Sequence, residues 1–569
     1  MKKERYFGSC EESNNKVLSK YINILDDFVE NKHHYGYPFF NGNYQVDYYE
    51  FLKEKKLNDD EMSVEETFKY ISEYFANVPD YNNPGTMINV IPSVNILSMT
   101  SSSVAGMLNP NFAQDTYSGD LILSELEVAK YLSDMIGWDW EESYGYFTFG
   151  GTGTNLYGNK LALVKADPDS SKNGIIKDKY FMVTSKNGHP CHYQLCDWLG
   201  IGSKSCIEIP CNQFGEIDLD ILEKIIVENI EQGKTFLGYN LNGGSTNEMT
   251  IDPIKNIYEL NQRIVNKYNL NYIPHIHVDA VLGWVYLFFK DYDFENNLLN
   301  LSEEALPIIK SLSVKISEVR YADTVGIDFH KTGFCPYISS LLLTRKKSDF
   351  DLLNPSKGIE LKDMHYGDYN PFQISLEYSR SVQGPISALT TLKSLGKNGF
   401  RKILADMVDN ALFFRNEISK LDNVLNVFPE TEGLATMFLI LPNEYKGISI
   451  EKIKEISTDE LDYLKNYNVD FGKYILNMAV NREISFFFTS SRSYTLPNTD
   501  LKLGVLKAYP MSVFLNKNYI KNIIEELKER IKVYDKLFLD SKINKLNINN
   551  LFNEMSKDSK LEGEENEKF

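Results

Sequence analysis

The sequence predicts an α/β fold, with a large domain built on a mostly parallel seven-stranded sheet and a smaller C-terminal α+β domain after it. Two observations predict it. Between Gly145 and Leu343 seven short apolar runs recur: YFTF (146–149), YFMVTS (180–185), CIEIP (206–210), TFLGYNL (235–241), IHVDAV (276–281), TVGIDF (324–329) and SSLLLT (339–344). Stretches with apolar residues at helical spacing lie between most of them, at 156–165, 191–199, 219–229 and 253–268. Strands alternating with helices indicate a parallel sheet, whose ligands sit beyond the carboxyl ends of its strands.

Taken in order, residues 1–100 read as a helical arm or cap. Their amphipathic stretches (17–29 and 63–75) are broken by aromatic, Asn/Gly/Pro-rich loops such as HHYGYPFFNGNY, with too little continuous apolar pattern for a separate core. The large domain spans 101–384 and opens with a helix over 124–136, in which Leu126, Ala129, Leu132, Met135 and Ile136 recur at helical spacing and Gly137 ends the run. Residues 385–540 combine long helical segments (386–395, 400–421 and 519–538) with strand candidates at 436–441 and 484–489, which suits the smaller domain. Residues 541–569 thin to Lys, Asn, Asp and Glu and predict a disordered tail.

Composition excludes several classes of function. A net charge of −19 repels phosphate backbones and anionic membranes, so neither nucleic acid nor lipid is an expected partner. The N-terminus MKKERYFGSCEESNNK lacks the apolar run of a secretory signal and no stretch approaches membrane-helix length, so a soluble, cytoplasmic protein is expected. Six cysteines in such a chain predict reduced thiols. Cys191, Cys196, Cys206 and Cys211 lie near His189 and His192, but four residues separate each cysteine pair with no turn signal between, and buried thiols rather than a metal are expected.

The candidate chemistry centres on Lys331 in DTVGIDFHKTGFCPY (323–337), placed where a β-type run gives way to a turn. Phe329, Thr332, Phe334 and Pro336 around it predict partial desolvation, which lowers a lysine pKa and frees the amine for Schiff-base chemistry. In FTFGGTGTNLYGNKLALVKA, Gly150 to Thr154 stand between a strand and a helix whose open N–H groups suit a phosphate dianion; a plain glycine-rich turn reads the same way. Asp279 ends the strand in HIHVDAVLGW, where a buried carboxylate needs a partner, either a cationic ring nitrogen or a local capping group. His192, in HPCHYQLCDWLG, begins a helical stretch and can project over the same sheet edge.

FGGTGTNLYG, HPCHYQLCDWLG, NLNGGSTNEMTIDP, HVDAVLGW and DFHKTGFCPY together resemble the pyridoxal-phosphate-dependent group II amino acid decarboxylases, of the fold type I, transferase-like superfamily, over about residues 85–540. The resemblance implies that Lys331 carries the cofactor, that Asp279 pairs with its pyridinium nitrogen and that His192 stacks on its ring. It also implies that Gly151, Thr152, Gly153, Thr154, Thr246, Asp328 and His330 surround ring and phosphate. Val281 departs from the small alanine usual two residues after the aspartate, and Trp284 from a common glycine; both crowd one side of the site.

By the same resemblance the chain converts an L-amino acid to its amine and carbon dioxide as a homodimer, both subunits contributing to each site. A tyrosine on a mobile loop returns a proton to the α-carbon in such enzymes. The polar stretch 346–368, with Tyr366, is the lid candidate, and Tyr337 resembles an active-site tyrosine of bacterial tyrosine decarboxylases. That motif favours an aromatic, tyrosine-like substrate. Glutamate or aspartate stays open through Arg380 or Arg492, as does another carbon–carbon lyase or aldehyde-forming relative.

Overall fold

The computed structural model describes residues 15–42, 46–353 and 361–544. Among these the strands are β1 (Thr86–Met87), β2 (Tyr144–Thr148), β3 (Tyr180–Ser185), β4 (Cys206–Ile209), β5 (Thr235–Asn242), β6 (His275–Asp279), β7 (Thr324–Asp328), β8 (Ser340–Thr344), β9 (Val424–Asn426), β10 (Thr436–Ile440), β11 (Phe487–Thr495) and β12 (Lys502–Ala508). They form two sheets.

The larger sheet has seven strands in the order β2-β8-β7-β6-β5-β3-β4. All pairings are parallel except those of β8, which runs antiparallel to β2 and β7. Each apolar run of the sequence becomes one of these strands. β3, β6, β7 and β8 are buried along their whole length, because helices cover both faces and no side of the strand needs to be polar. Register then aligns the functional edge: Asn242 of β5 pairs with Asp279 of β6, and Asp279 with Gly326 of β7.

The helix Gly151–Ala166 enters from that edge and lies directly on the sheet. Two glycines permit the approach. A Cβ on Gly158 would stand 2.5 Å from His277 Nδ1, and one on Gly326 would stand 2.3 Å from Thr154 Oγ1.

The second sheet, β1-β11-β12-β10-β9, is antiparallel except for β1, which joins β11 in parallel. The N-terminal segment therefore does more than cap the molecule, because its strand completes the edge of the smaller sheet. Helices Gln383–Ile418, Thr458–Val480 and Lys517–Asn544 pack a core of Phe414, Phe438, Tyr467, Phe471, Phe488 and Tyr534. The helical segments predicted at 386–395 and 400–421 are one element, Gln383–Ile418, bent at Gly396 (φ 57°). The helix Lys517–Asn544 runs past residue 541, where the tail was expected to begin; residues 545–569 lie outside the described residues, as do 1–14. No helix among the described residues is long and apolar enough to cross a membrane.

Alanine normally favours a helix over glycine by about 1 kcal/mol. At Gly158 the sign should reverse, since the added methyl meets His277 and overpacking typically costs about 1–3 kcal/mol. Gly158→Ala is expected to lower the urea midpoint of the large domain, and a raised midpoint would contradict this packing.

Candidate active site

Lys331 follows β7 by three residues, in a turn pinned by buried Phe329, Phe334 and Cys335. Its Nζ lies 2.9 Å from Asp328 Oδ2, and the Asp328 side chain is only 1 % exposed. The amine is thus held by a buried charge, where the sequence suggested apolar desolvation alone. Ser340 of β8 donates to Asp328 Oδ1 at 2.5 Å, His330 Nε2 lies 3.5 Å from Oδ2, and Trp284 Nε1 donates to the Asp328 carbonyl at 3.3 Å. Trp284 therefore buttresses the lysine turn from behind.

Asp279 closes β6 and is buried. Its Oδ2 accepts from Asn155 Nδ2 at 2.9 Å. Burial pushes the carboxyl up, but the combined pull of His192, Lys331, the Asn155 bond and His189 outweighs it and holds the group below its ordinary value. Asp279 is an ionised acceptor.

His192 lies in the helix Cys191–Trp198, 1 % exposed, and its Nδ1 has no hydrogen-bond partner. Burial lowers its pKa to about 4, so the ring is neutral at pH 7. A neutral, flat ring in that place can lie against another ring without charge repulsion.

The glycine loop turns at Gly150 (φ 114°), a conformation that favours glycine, and starts the helix at Gly151. The helix start lies at the strand ends, a place that suits an anion, although the Gly153 N–H is already donated to the Gly150 carbonyl at 2.8 Å. Gly151 is pressed close: a Cβ there would lie 2.9 Å from Asp328 Oδ2 and 3.0 Å from Val281 Cγ1. Thr152 is exposed at the mouth. Thr154 differs from expectation, since it is fully buried and its hydroxyl donates to the Gly151 carbonyl at 2.7 Å, a bond inside its own helix. Thr246 follows β5, and its carbonyl accepts from Tyr509 Oη of the smaller domain at 3.3 Å.

The two candidate tyrosines are in different places. Tyr337 lies with its ring 4.2 Å from that of His330, next to Lys331, and is half exposed. Tyr366 is 70 % exposed and lines a separate recess with Asp115, Gly119, Leu361, His365 and Tyr369. Of the lid candidate 346–368, short turns form at Lys347–Leu352 and Leu361–Asp363, and residues 354–360 lie outside the described residues. Arg380 lines the recess beside Tyr337 but is already paired: it donates to Glu125 at 2.7 and 3.0 Å and to the carbonyls of Phe147 and Phe112. Arg492 is exposed on β11. The cysteines 191, 196, 206 and 211 are buried free thiols.

Three residues of this site were not read from the sequence. Asn155 follows the glycine loop directly, and its position one helical turn beyond Gly151 turns it to the same side. His277 precedes Asp279 by two and so shares its strand face. Ser340 sits across the antiparallel pair from Asp328 and had no sequence signal. The assembled groups are a primary amine beside a carboxylate, a second buried, ionised carboxylate, a neutral imidazole and a glycine-led helix start, all at one sheet edge.

Residues 52–439 match the family described as the pyridoxal-dependent decarboxylase conserved domain. The chain is 22 % identical over 420 residues to an L-2,4-diaminobutyrate decarboxylase of Acinetobacter baumannii, covering 70 % of this chain and 76 % of that one. It is 25 % identical over 270 residues to an L-aspartate decarboxylase of Metarhizium robertsii, covering 48 % of each. Among solved structures, mouse CSAD superposes with a TM-score of 0.73 at 18 % identity, over 91 % of this chain and 99 % of that one. Oryza sativa TDC with PLP and tryptamine gives 0.71 at 13 %, over 91 % and 97 %. These superpositions show a shared fold.

His192 and His277 are each held by burial at about 4, against an ordinary 6.5. Between those values the unfolded chain binds protons that the folded chain does not, so their stabilising contribution is full above pH 6.5 and is lost as pH falls towards 4. Acidification from about pH 7 to 5 is expected to cost on the order of 1–2 kcal/mol per histidine in urea denaturation. His192→Gln should flatten that slope; an unchanged slope would contradict the assignment.

Proposed function

The chain belongs to the pyridoxal-dependent decarboxylases, and from that membership we propose the roles of its site residues and the class of its substrate. It is a carboxy-lyase acting on an amino acid with pyridoxal 5'-phosphate. The residues fit that group. His192 offers a buried ring with an unpartnered nitrogen, Asp279 an ionised carboxylate, and Gly150–Gly151 a turn with no side chain in the way.

On this reading Lys331 would hold the cofactor's aldehyde carbon, Asp279 its ring nitrogen and His192 its ring face. The N–H groups of Gly151 and Thr152 would hold its phosphate, that of Gly153 being donated to the Gly150 carbonyl at 2.8 Å, with Thr246, Asp328 and His330 nearby. When bound, the cofactor supplies the carbonyl that captures the substrate amine and the cationic ring that accepts the electron pair of the broken Cα–carboxylate bond. Asp279 favours the protonated form of a nitrogen base facing it. Asp328, 2.9 Å from Lys331, is the nearest base for the proton that the amine must lose before attacking carbon.

Tyr337 is the proton donor to the α-carbon on this reading. Burial, helped by the charge of Asp328, raises its phenol above the ordinary value, so it keeps its proton at neutral pH. Tyr366 would serve only across a subunit boundary. A homodimer is supported by the apolar residues that the helix Ile96–Leu108 leaves exposed, Ile96, Leu97, Met99, Val104 and Leu108. The buried free thiols favour a cytoplasmic setting.

For the substrate, one observation carries the reading: a recess of about 380 Å³ lined by Phe147, Phe149, Tyr337 and Ile338, whose charged groups are Arg380, paired with Glu125, and Glu377, one of whose oxygens already accepts from Tyr157 Oη at 2.8 Å. Aromatic walls with a carboxylate suit a tyrosine-like side chain whose hydroxyl donates to Glu377. The same carboxylate suits the ammonium of 2,4-diaminobutyrate, the substrate named for one relative, and this is the second reading. An acidic substrate is disfavoured because Arg380 is already neutralised by Glu125.

Carbon dioxide release from tyrosine, tryptophan, 2,4-diaminobutyrate, aspartate and glutamate tests the substrate. Turnover of tyrosine is expected to lead, 2,4-diaminobutyrate in front would establish the second reading, and aspartate or glutamate in front would overturn both. Tyr337→Phe is expected to slow amine formation by about 10²-fold or more and to raise the aldehyde fraction; a wild-type product ratio in Tyr337→Phe with a changed one in Tyr366→Phe would reassign the donor.

A further inference from the structure

Behind Asp279 runs a buried chain of polar side chains with no part in the roles assigned above. Asn155 Nδ2 donates to Asp279 Oδ2 at 2.9 Å, and Asn155 Oδ1 lies 2.7 Å from His277 Nε2. His277 Nδ1 is 2.8 Å from Thr324 Oγ1, and the same hydroxyl is 2.8 Å from His275 Nε2. Asn155, His277, Thr324 and His275 are all within 1 % of full burial. At the far end His275 Nδ1 stands 3.8 Å from Asp323 Oδ2, whose other oxygen takes Arg345 Nη2 at 2.9 Å. The chain thus crosses the sheet from its functional edge to the opposite one, on one face of β6, because residues 275, 277 and 279 alternate along that strand.

Donor and acceptor capacities allow only one direction through it. An ionised carboxylate only accepts, so the amide nitrogen of Asn155 must face Asp279 and its oxygen must face His277. That oxygen also only accepts, so His277 carries its proton on Nε2. Burial holds His277 neutral, leaving Nδ1 to accept the single hydroxyl proton of Thr324. The Thr324 oxygen then accepts from His275 Nε2. Every proton of the chain points towards Asp279. Asn155 Nδ2 also reaches Cys191 Sγ at 3.4 Å, the weaker of its two contacts.

We propose that Asn155, His277 and Thr324 are positioning residues that fix the Asp279 carboxylate in one orientation and one ionisation state towards the cofactor ring. The proposal rests on the assignment of Asp279 to the ring nitrogen. Asn155 acts directly, His277 fixes the amide of Asn155, and Thr324 fixes the tautomer of His277. The influence of each falls with its distance along the chain.

The test titrates the full-length apoprotein with pyridoxal phosphate by absorbance, alongside apoprotein melting and steady-state kinetics. Asn155→Leu and His277→Leu are expected to weaken cofactor binding by about tenfold or more and to lower kcat with KM within about twofold. His277→Gln, which keeps a donor towards Asn155, should recover binding to within about threefold of wild type, and Thr324→Val should lose about two- to fivefold. Wild-type cofactor affinity and kcat in a folded Asn155→Leu protein would overturn the proposal, as would equal losses in His277→Gln and His277→Leu. Should the leucine variants fail to fold, Thr324→Val decides, and unchanged binding there overturns it. A wild-type apoprotein that takes up cofactor while Asp279→Asn binds it equally well would instead sink the assignment of Asp279 itself.

Discussion

A carboxylate buried at the end of the central strand is the constraint on which the remainder of this site depends. An unpaired charge there would be expensive, and the protein answers it with an amide at 2.9 Å and the field of Lys331. The net result is an acceptor that stays ionised although it is almost wholly out of water. On the proposed assignment this acceptor faces the protonated ring nitrogen of the cofactor.

The fold places the remaining groups around that charge by close approach. The helix Gly151–Ala166 can bring Asn155 to Asp279 only because Gly158 and Gly326 carry no side chains at the helix–sheet contact. The same approach brings its N-terminus to the strand ends, where the proposed phosphate site lies. A second buried carboxylate, Asp328, takes the amine of Lys331 and is fixed in turn by Ser340 from the neighbouring antiparallel strand. The one antiparallel insertion in the sheet therefore has a local consequence at the lysine. Loop 243–250 ties this domain to the smaller one through Asn247, whose side-chain oxygen accepts from Lys507 at 2.7 Å, and through Thr246.

Much of this was legible in the sequence because strand burial and motif spacing are local signals. The seven apolar runs gave seven strands, and the lysine, aspartate and histidine motifs fell at one sheet edge. What stayed illegible depended on distant partners. Arg380 looked like a ligand for a substrate carboxylate, but Glu125, 255 residues away, neutralises it. Thr154 looked like a phosphate ligand, but its hydroxyl turns into its own helix. The helix Thr458–Val480 buries Tyr467, Asn468 and Gly472 beside its apolar residues, which weakens its pattern, and β1 is two residues long, too short to carry one.

The central claim is that one amine, that of Lys331, carries the cofactor opposite Asp279. Borohydride reduction of the cofactor-loaded enzyme, followed by proteolysis and mass spectrometry, tests it most directly. The account predicts a single pyridoxyl-modified peptide containing Lys331, missing from Lys331→Ala protein. Modification at a different lysine, or the same labelling in Lys331→Ala, would contradict it.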